Sequence, residues 1–122
     1  MLYKPLKVIA VDVDGTLFRK RETSKIVIEY LENMKQKGFS LMLWSARGKV
    51  HAQEIAKRFG LEYLFDDVVA KPGYIIDDKG WGWTKYTKVI RLRWLRDLLA
   101  EDEDIDKQEG EIGIVNDINK VL

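Results

Sequence analysis

Residues 6–13, LKVIAVDV, form a run of apolar and β-branched side chains that stops at two aspartates and a turn at Gly15. Successive side chains of a strand point to opposite faces. A strand that is apolar at most positions must therefore be buried on both faces, as in a parallel sheet covered by helices.

The rest of the chain repeats the pattern. Ser24 to Lys37 predicts a helix, with Thr23 or Ser24 as N-cap, Ile28, Leu31 and Met34/Lys35 at helical spacing, and Gly38 after its end. Phe39 to Trp44 reads as a second buried strand ending at Ser45, and Lys49 to Phe59 as a helix closed by Gly60. Short strands are expected at Val68–Ala70 and, after Pro72-Gly73, at Tyr74–Ile76. Thr84 to Leu99 reads as a helix with Val89, Leu92, Leu95 and Leu99 on one side. Ile112–Val115 fits an edge strand or a short terminal helix. Strands alternating with helices give an α/β fold, a Rossmann-like three-layer α/β/α sandwich with a mostly parallel sheet. The 122 residues suffice for a single domain, residues 1–122, with the acidic run at 101–111 read as a linker to a C-terminal strand or helix.

Composition removes several chemistries. There is no cysteine, so a disulfide framework, a thiolate zinc site and a Cys nucleophile are all excluded. The lack of cysteine fits a reducing cytoplasm, which is the expected location. One histidine, His51, excludes any mechanism that needs two imidazoles; placed early in a helix, it reads as a surface residue. No run is long enough to span a bilayer, so no membrane partner is expected. The net charge of +1 gives no global pull toward nucleic acid, although Lys79, Lys85, Lys88, Arg91, Arg93 and Arg96 form a basic stretch ahead of the acidic one.

What remains converges on one edge. Asp12, Asp14, Ser45, Lys71, Asp77 and Asp78 all fall at or just past the carboxyl end of an expected strand. In open α/β sheets ligands bind at that edge. Four carboxylates together repel one another and call for a cation among them. Hard oxygen donors without sulfur or imidazole favour Mg²⁺, which keeps positions open for water and a substrate phosphate. Asp12 and Asp14 would face opposite ways on a regular strand, so the turn at Gly15 must bend the backbone if both are to point inward.

Asp-x-Asp-Gly-Thr-Leu at 12–17 resembles the first motif of the haloacid dehalogenase superfamily of phosphatases and phosphotransferases. Three further motifs look like those of the superfamily, in order: LMLWSAR with Ser45, AKPG with Lys71, and YIIDDKG with Asp77 and Asp78. The resemblance covers roughly residues 6–80 and implies a phosphatase. Asp12 would attack phosphorus to form an aspartyl-phosphate, and Asp14 would act as general acid and then general base. Mg²⁺ would be held by Asp12, by Asp14 through its carbonyl, and by Asp77 or Asp78. Asp78 is favoured as the direct ligand, with Asp77 holding Lys71. Ser45 and Lys71 would hold the phosphoryl oxygens, with Ala46 and Arg47 at the substrate rim. The six-residue step from Lys71 to Asp77 resembles the small capless branch, including the capsule-biosynthesis phosphatases. The gaps after Asp14 and Ser45 leave no room for a cap domain.

The expected substrate is a small phosphorylated metabolite. A nucleic-acid end is the second reading, carried by the basic stretch with Trp81 and Trp83. A non-catalytic Mg²⁺- and phosphate-binding protein is the third, although a binder has no need of the acid/base at Asp14. Trp81 and Trp83 read first as core or subunit-contact residues, so a second copy of the chain is a further candidate partner.

Overall fold

The computed structural model describes residues 5–106. These residues fall into two compact units, residues 6–76 and the residues from Asp77 onward. The expected element at Ile112–Val115 lies outside the described residues.

In the first unit the elements run β1 (Val8–Asp12), β2 (Phe18–Arg19), β3 (Glu22–Thr23), α1 (Lys25–Gln36), β4 (Ser40–Ser45), α2 (Lys49–Arg58) and β5 (Asp67–Ala70). β1, β4 and β5 make a parallel sheet in that order. The register aligns their carboxyl ends, with Asp12 opposite Trp44 and Ser45 opposite Ala70. This is the parallel α/β architecture that the alternating pattern predicts.

Both crossovers step the same way across the sheet. Right-handed connections therefore put α1 and α2 on the same face. Burial follows: Val11, Leu41 and Leu43 are buried, while Met42 and Trp44, pointing the other way, are only half-buried. Each fully buried leucine contributes about 1.5–3 kcal/mol of transfer free energy. Val27, Tyr30, Leu31 and Met34 of α1, with Ala52, Ile55 and Ala56 of α2, are the buried positions of the two helices.

Local chemistry explains the helix ends. Ser24 caps α1, its hydroxyl accepting from the Val27 N–H. Asp66, just before β5, accepts the Leu41 N–H at 2.8 Å, and Lys35 of α1 reaches both the Asp66 carboxylate and the Leu64 carbonyl. These bonds lock α1, β4 and the entry to β5 together. The Leu41 hydrogen bond, followed by the Lys35 charge, holds the Asp66 carboxyl below its ordinary value.

Two local expectations are corrected and one element is added. Tyr74–Ile76 does not form a strand; Tyr74, Ile75 and Ile76 are exposed and irregular. Thr84–Leu99 is not one helix. Gly80–Tyr86 and Leu92–Trp94 are 3₁₀ turns, and the α-helix, α3, begins at Leu95 and runs to Asp106. Threonines and β-branched residues at Thr84, Thr87, Val89 and Ile90 weaken the helical tendency there. Helix α3 also takes in the first six residues of the acidic run, and its apolar face is Leu95, Leu98 and Leu99. The added element is the β2–β3 hairpin. Its two-residue loop, Lys20-Arg21, has positive φ at both residues (50° and 66°).

Candidate active site

The site is assembled from the loops and strand ends at the carboxyl edge of the sheet. β1 ends at Asp12, so Asp14 lies outside the regular strand and is free of its alternation. Gly15, at φ 85°, makes the bend, in a backbone region that a residue with a Cβ rarely adopts. Gly15 N–H donates to the Phe18 carbonyl and Leu17 N–H to the Asp12 carbonyl, fixing the turn that leads into the hairpin. Phe18 packs on Phe59, past the end of α2, with ring centroids 5.3 Å apart. The bend that the sequence required at Gly15 is present.

One charged and one neutral donor meet Asp12. Lys71 Nζ lies 3.0 Å from Oδ1, and the Thr16 hydroxyl donates to Oδ2 at 3.2 Å. Lys71 sits one residue beyond β5, and its N–H donates to the Ser45 carbonyl, extending the sheet pairing and delivering the side chain to the same edge. Its ammonium also lies 5.5 Å from the centre of the Trp44 ring. Both side chains of the Asp12–Lys71 pair remain 35% exposed, so the pair is open to a ligand.

Asp14 has its own partners. His51 Nε2 lies 3.0 and 3.2 Å from its two carboxylate oxygens, and Arg47 Nη1 lies 3.6 Å from Oδ1. Arg47 thus stands at the edge, largely exposed, beside an aspartate.

Ser45, the last residue of β4, is buried. Its hydroxyl accepts the Arg47 N–H at 3.0 Å, and its carbonyl accepts the Gly48 N–H. The N-cap of α2 is Gly48. Ala46 and Arg47 form the exposed turn between them.

The structure thus brings Asp12, Asp14, Ser45, Arg47 and Lys71 to one edge of the first unit. Asp77 and Asp78 belong to the second unit. Both are exposed, and Asp77 Oδ1 accepts the Lys79 N–H at 2.8 Å. Trp81 and Trp83 are exposed rather than in a core, their rings 6.2 Å apart and tilted by 36°.

Two site residues were not assigned from the sequence. Thr16 lies within the motif at 12–17, and only its reach back to Asp12 gives it a role. His51 is not the expected surface residue: its side chain is only 17% exposed and is held on Asp14 across 37 residues of sequence.

The donor set has a definite chemistry. Asp12 and the Asp14 main chain offer hard oxygens, and the sequence has no cysteine thiolate. Among the described residues no three His, Cys, Asp or Glu side chains gather as a cage. One or two carboxylates with water and phosphate completing the shell are what Mg²⁺ accepts, so these residues fit that ion.

A parallel α/β sheet that gathers Asp12, Asp14, a buried serine and a lysine at its carboxyl edge places them where such sheets bind ligands. The family model of the haloacid dehalogenase-like hydrolases matches residues 9–109, and the chain belongs to that family. No curated protein and no solved structure gave a match. No helix among the described residues is long and apolar enough to cross a membrane.

Proposed function

We propose that this hydrolase is a Mg²⁺-dependent phosphomonoesterase that works through an aspartyl-phosphate on Asp12, with a small phosphorylated metabolite as substrate. The observation that carries the reading is the Asp12–Lys71 pair, a carboxylate and an ammonium 3.0 Å apart at the carboxyl edge of the sheet, which the reading makes nucleophile and phosphate-binding cation.

The substrate phosphate competes with Asp12 for Lys71, so binding draws the ammonium onto the phosphoryl oxygens and frees Oδ1 to attack. The Asp12–phosphorus bond forms as the bond to the leaving oxygen breaks, and Asp14 gives that oxygen its proton. Water then attacks the aspartyl-phosphate, Asp14 takes the proton, and inorganic phosphate leaves with Asp12 restored. Thr16 holds the other Asp12 oxygen, which fixes the carboxylate for in-line attack. Ser45 and Lys71 hold the transferring oxygens, with Ala46 and Arg47 at the rim. Asp12 and the Asp14 carbonyl would hold Mg²⁺; the sequence motif, not the geometry, nominates Asp77 and Asp78 beside them. When bound, the ion neutralises phosphate charge that would otherwise repel the nucleophile.

Steady-state turnover of an aryl phosphate tests the reading. Excess chelator should abolish activity, Mg²⁺ should restore it, and Ca²⁺, which prefers more ligands at longer distance, should do so poorly. Full activity in chelator would remove the metal from the mechanism.

The exposed Trp81 and Trp83 beside Lys79 and Lys85 favour a nucleic-acid end as the second substrate class. That reading predicts cleavage of oligonucleotide 3′- or 5′-phosphates that falls steeply with added salt. No turnover of such substrates at low salt would exclude it.

A further inference from the structure

His51 is the chain's only histidine, and a chain of 122 residues has ample surface on which to place one. Instead it lies in the first turn of α2, mostly buried, with Nε2 on both oxygens of Asp14. The neighbouring contact from Arg47 is longer and its side chain 67% exposed, so solvent competes for it. The contact between His51 and Asp14 is therefore the one that fixes the aspartate. The α2 register is set by the buried Ala52, Ile55 and Ala56, which hold the imidazole on a rigid element rather than on a loop.

We infer that His51 is the positioning residue for the acid/base carboxylate of Asp14. This rests on the phosphatase reading above. An ionised carboxylate only accepts hydrogen bonds, so the imidazole must present Nε2–H to it. Nε2 is shared between the two oxygens but lies nearer Oδ2, at 3.0 Å, so the N–H stays on Oδ2 when Oδ1, at 3.2 Å, turns to the leaving group. In the first step Oδ1 carries the proton that passes to the departing alcohol as the phosphorus–oxygen bond breaks. In the second it takes a proton from the attacking water. His51 exchanges no proton in either step; it sets where the carboxylate points. A carboxylate that swings off line loses proton transfer while the nucleophile at Asp12 stays intact, because Asp12 is held by Thr16 and Lys71 instead.

The inference has a kinetic signature that a merely structural role would lack. Proton donation matters most for poor leaving groups. His51→Phe keeps a ring of similar shape and removes the donor. It should lower kcat on a simple alkyl phosphate by about 10- to 100-fold and on p-nitrophenyl phosphate by only about 3-fold, with KM little changed. His51→Gln, whose side-chain N–H can reach the same oxygen, should recover most of the alkyl phosphate rate. In an Asp14→Asn background His51→Phe should cost almost nothing further, since the two residues act as one unit.

Equal losses on the two substrates, no recovery with Gln, or full additivity with Asp14→Asn would overturn the inference. The failures are separable. If Asp14→Asn depends on the leaving group and His51→Phe does not, the assignment of His51 falls and the phosphatase mechanism stands. If Asp14→Asn itself is indifferent to the leaving group, the acid/base reading falls and His51 with it.

Discussion

Replacing Lys71 with methionine keeps most of the aliphatic stem and removes the charge, and the structure allows both consequences to be sized. For stability, the ion pair with Asp12 is about one-third exposed on each side. Pairs of that kind contribute about 0.2–1 kcal/mol. The Trp44 ring, 5.5 Å from the ammonium, adds about 0.5–1 kcal/mol at an exposed site. The loss is therefore at most about 2 kcal/mol, which leaves a domain of ordinary stability, about 5–15 kcal/mol, almost fully folded. For catalysis, deleting one preorganised charge-stabilising donor costs about 100- to 1,000-fold in kcat, or about 2.7–4 kcal/mol. Urea unfolding followed by tryptophan fluorescence, run beside steady-state turnover of an aryl phosphate, separates the two numbers. Lys71→Met should lower kcat/KM by about 100-fold or more at a urea midpoint close to wild type, and Lys71→Arg should lie between. A variant within about threefold of wild type in kcat/KM, or one whose activity loss tracks unfolding, would refute the role of Lys71.

Two further outcomes follow from the fold. The Asp66 carboxyl is held below its ordinary value of 3.8, chiefly by the Leu41 N–H and then by Lys35. Its stabilisation is complete above that value and is lost as pH falls through the lowered folded value. The stability gap between wild type and Asp66→Asn should thus be present at neutral pH and close in acid; a gap independent of pH would contradict this. Replacing the loop Lys20-Arg21 with Asn-Gly should raise stability by about 0.5–2 kcal/mol, because both residues hold positive φ that Asn and Gly adopt at less cost. A lower melting temperature would show that those two side chains contribute more than their backbone strain costs.

The legible parts of the molecule were those set by local chemistry. β1, β4 and β5 declare themselves by continuous apolar side chains, and α1 by a serine cap, helical spacing and Gly38. The placement of Asp12, Asp14, Ser45 and Lys71 at one edge was legible because each directly follows or ends an apolar run, and the end of a parallel strand is fixed in space by its neighbours. The hairpin at 18–23 was not legible, since Lys-Arg lacks the Asn-Gly signal of a tight two-residue loop and is instead carried by the turn at Gly15 and the Phe18–Phe59 contact. Tyr74–Ile76 misled in the opposite sense. Three apolar residues satisfy the local signal, but a strand exists only through hydrogen bonds to a partner that its own sequence does not encode. His51 was hidden for the same reason: its partner lies 37 residues away, and nothing beside it in sequence marks the contact.

The central claim is that Asp12 carries the phosphoryl group. Turnover of an aryl phosphate can be quenched rapidly in acid and the protein then treated with borohydride, which reduces an acyl phosphate to an alcohol. Peptide mass spectrometry then locates the change. Reduction is expected at position 12 alone, dependent on substrate and absent from Asp12→Asn, which should also be inactive while remaining folded. Active turnover with no reduced residue at position 12, or with the modification at Asp14 instead, would contradict the mechanism.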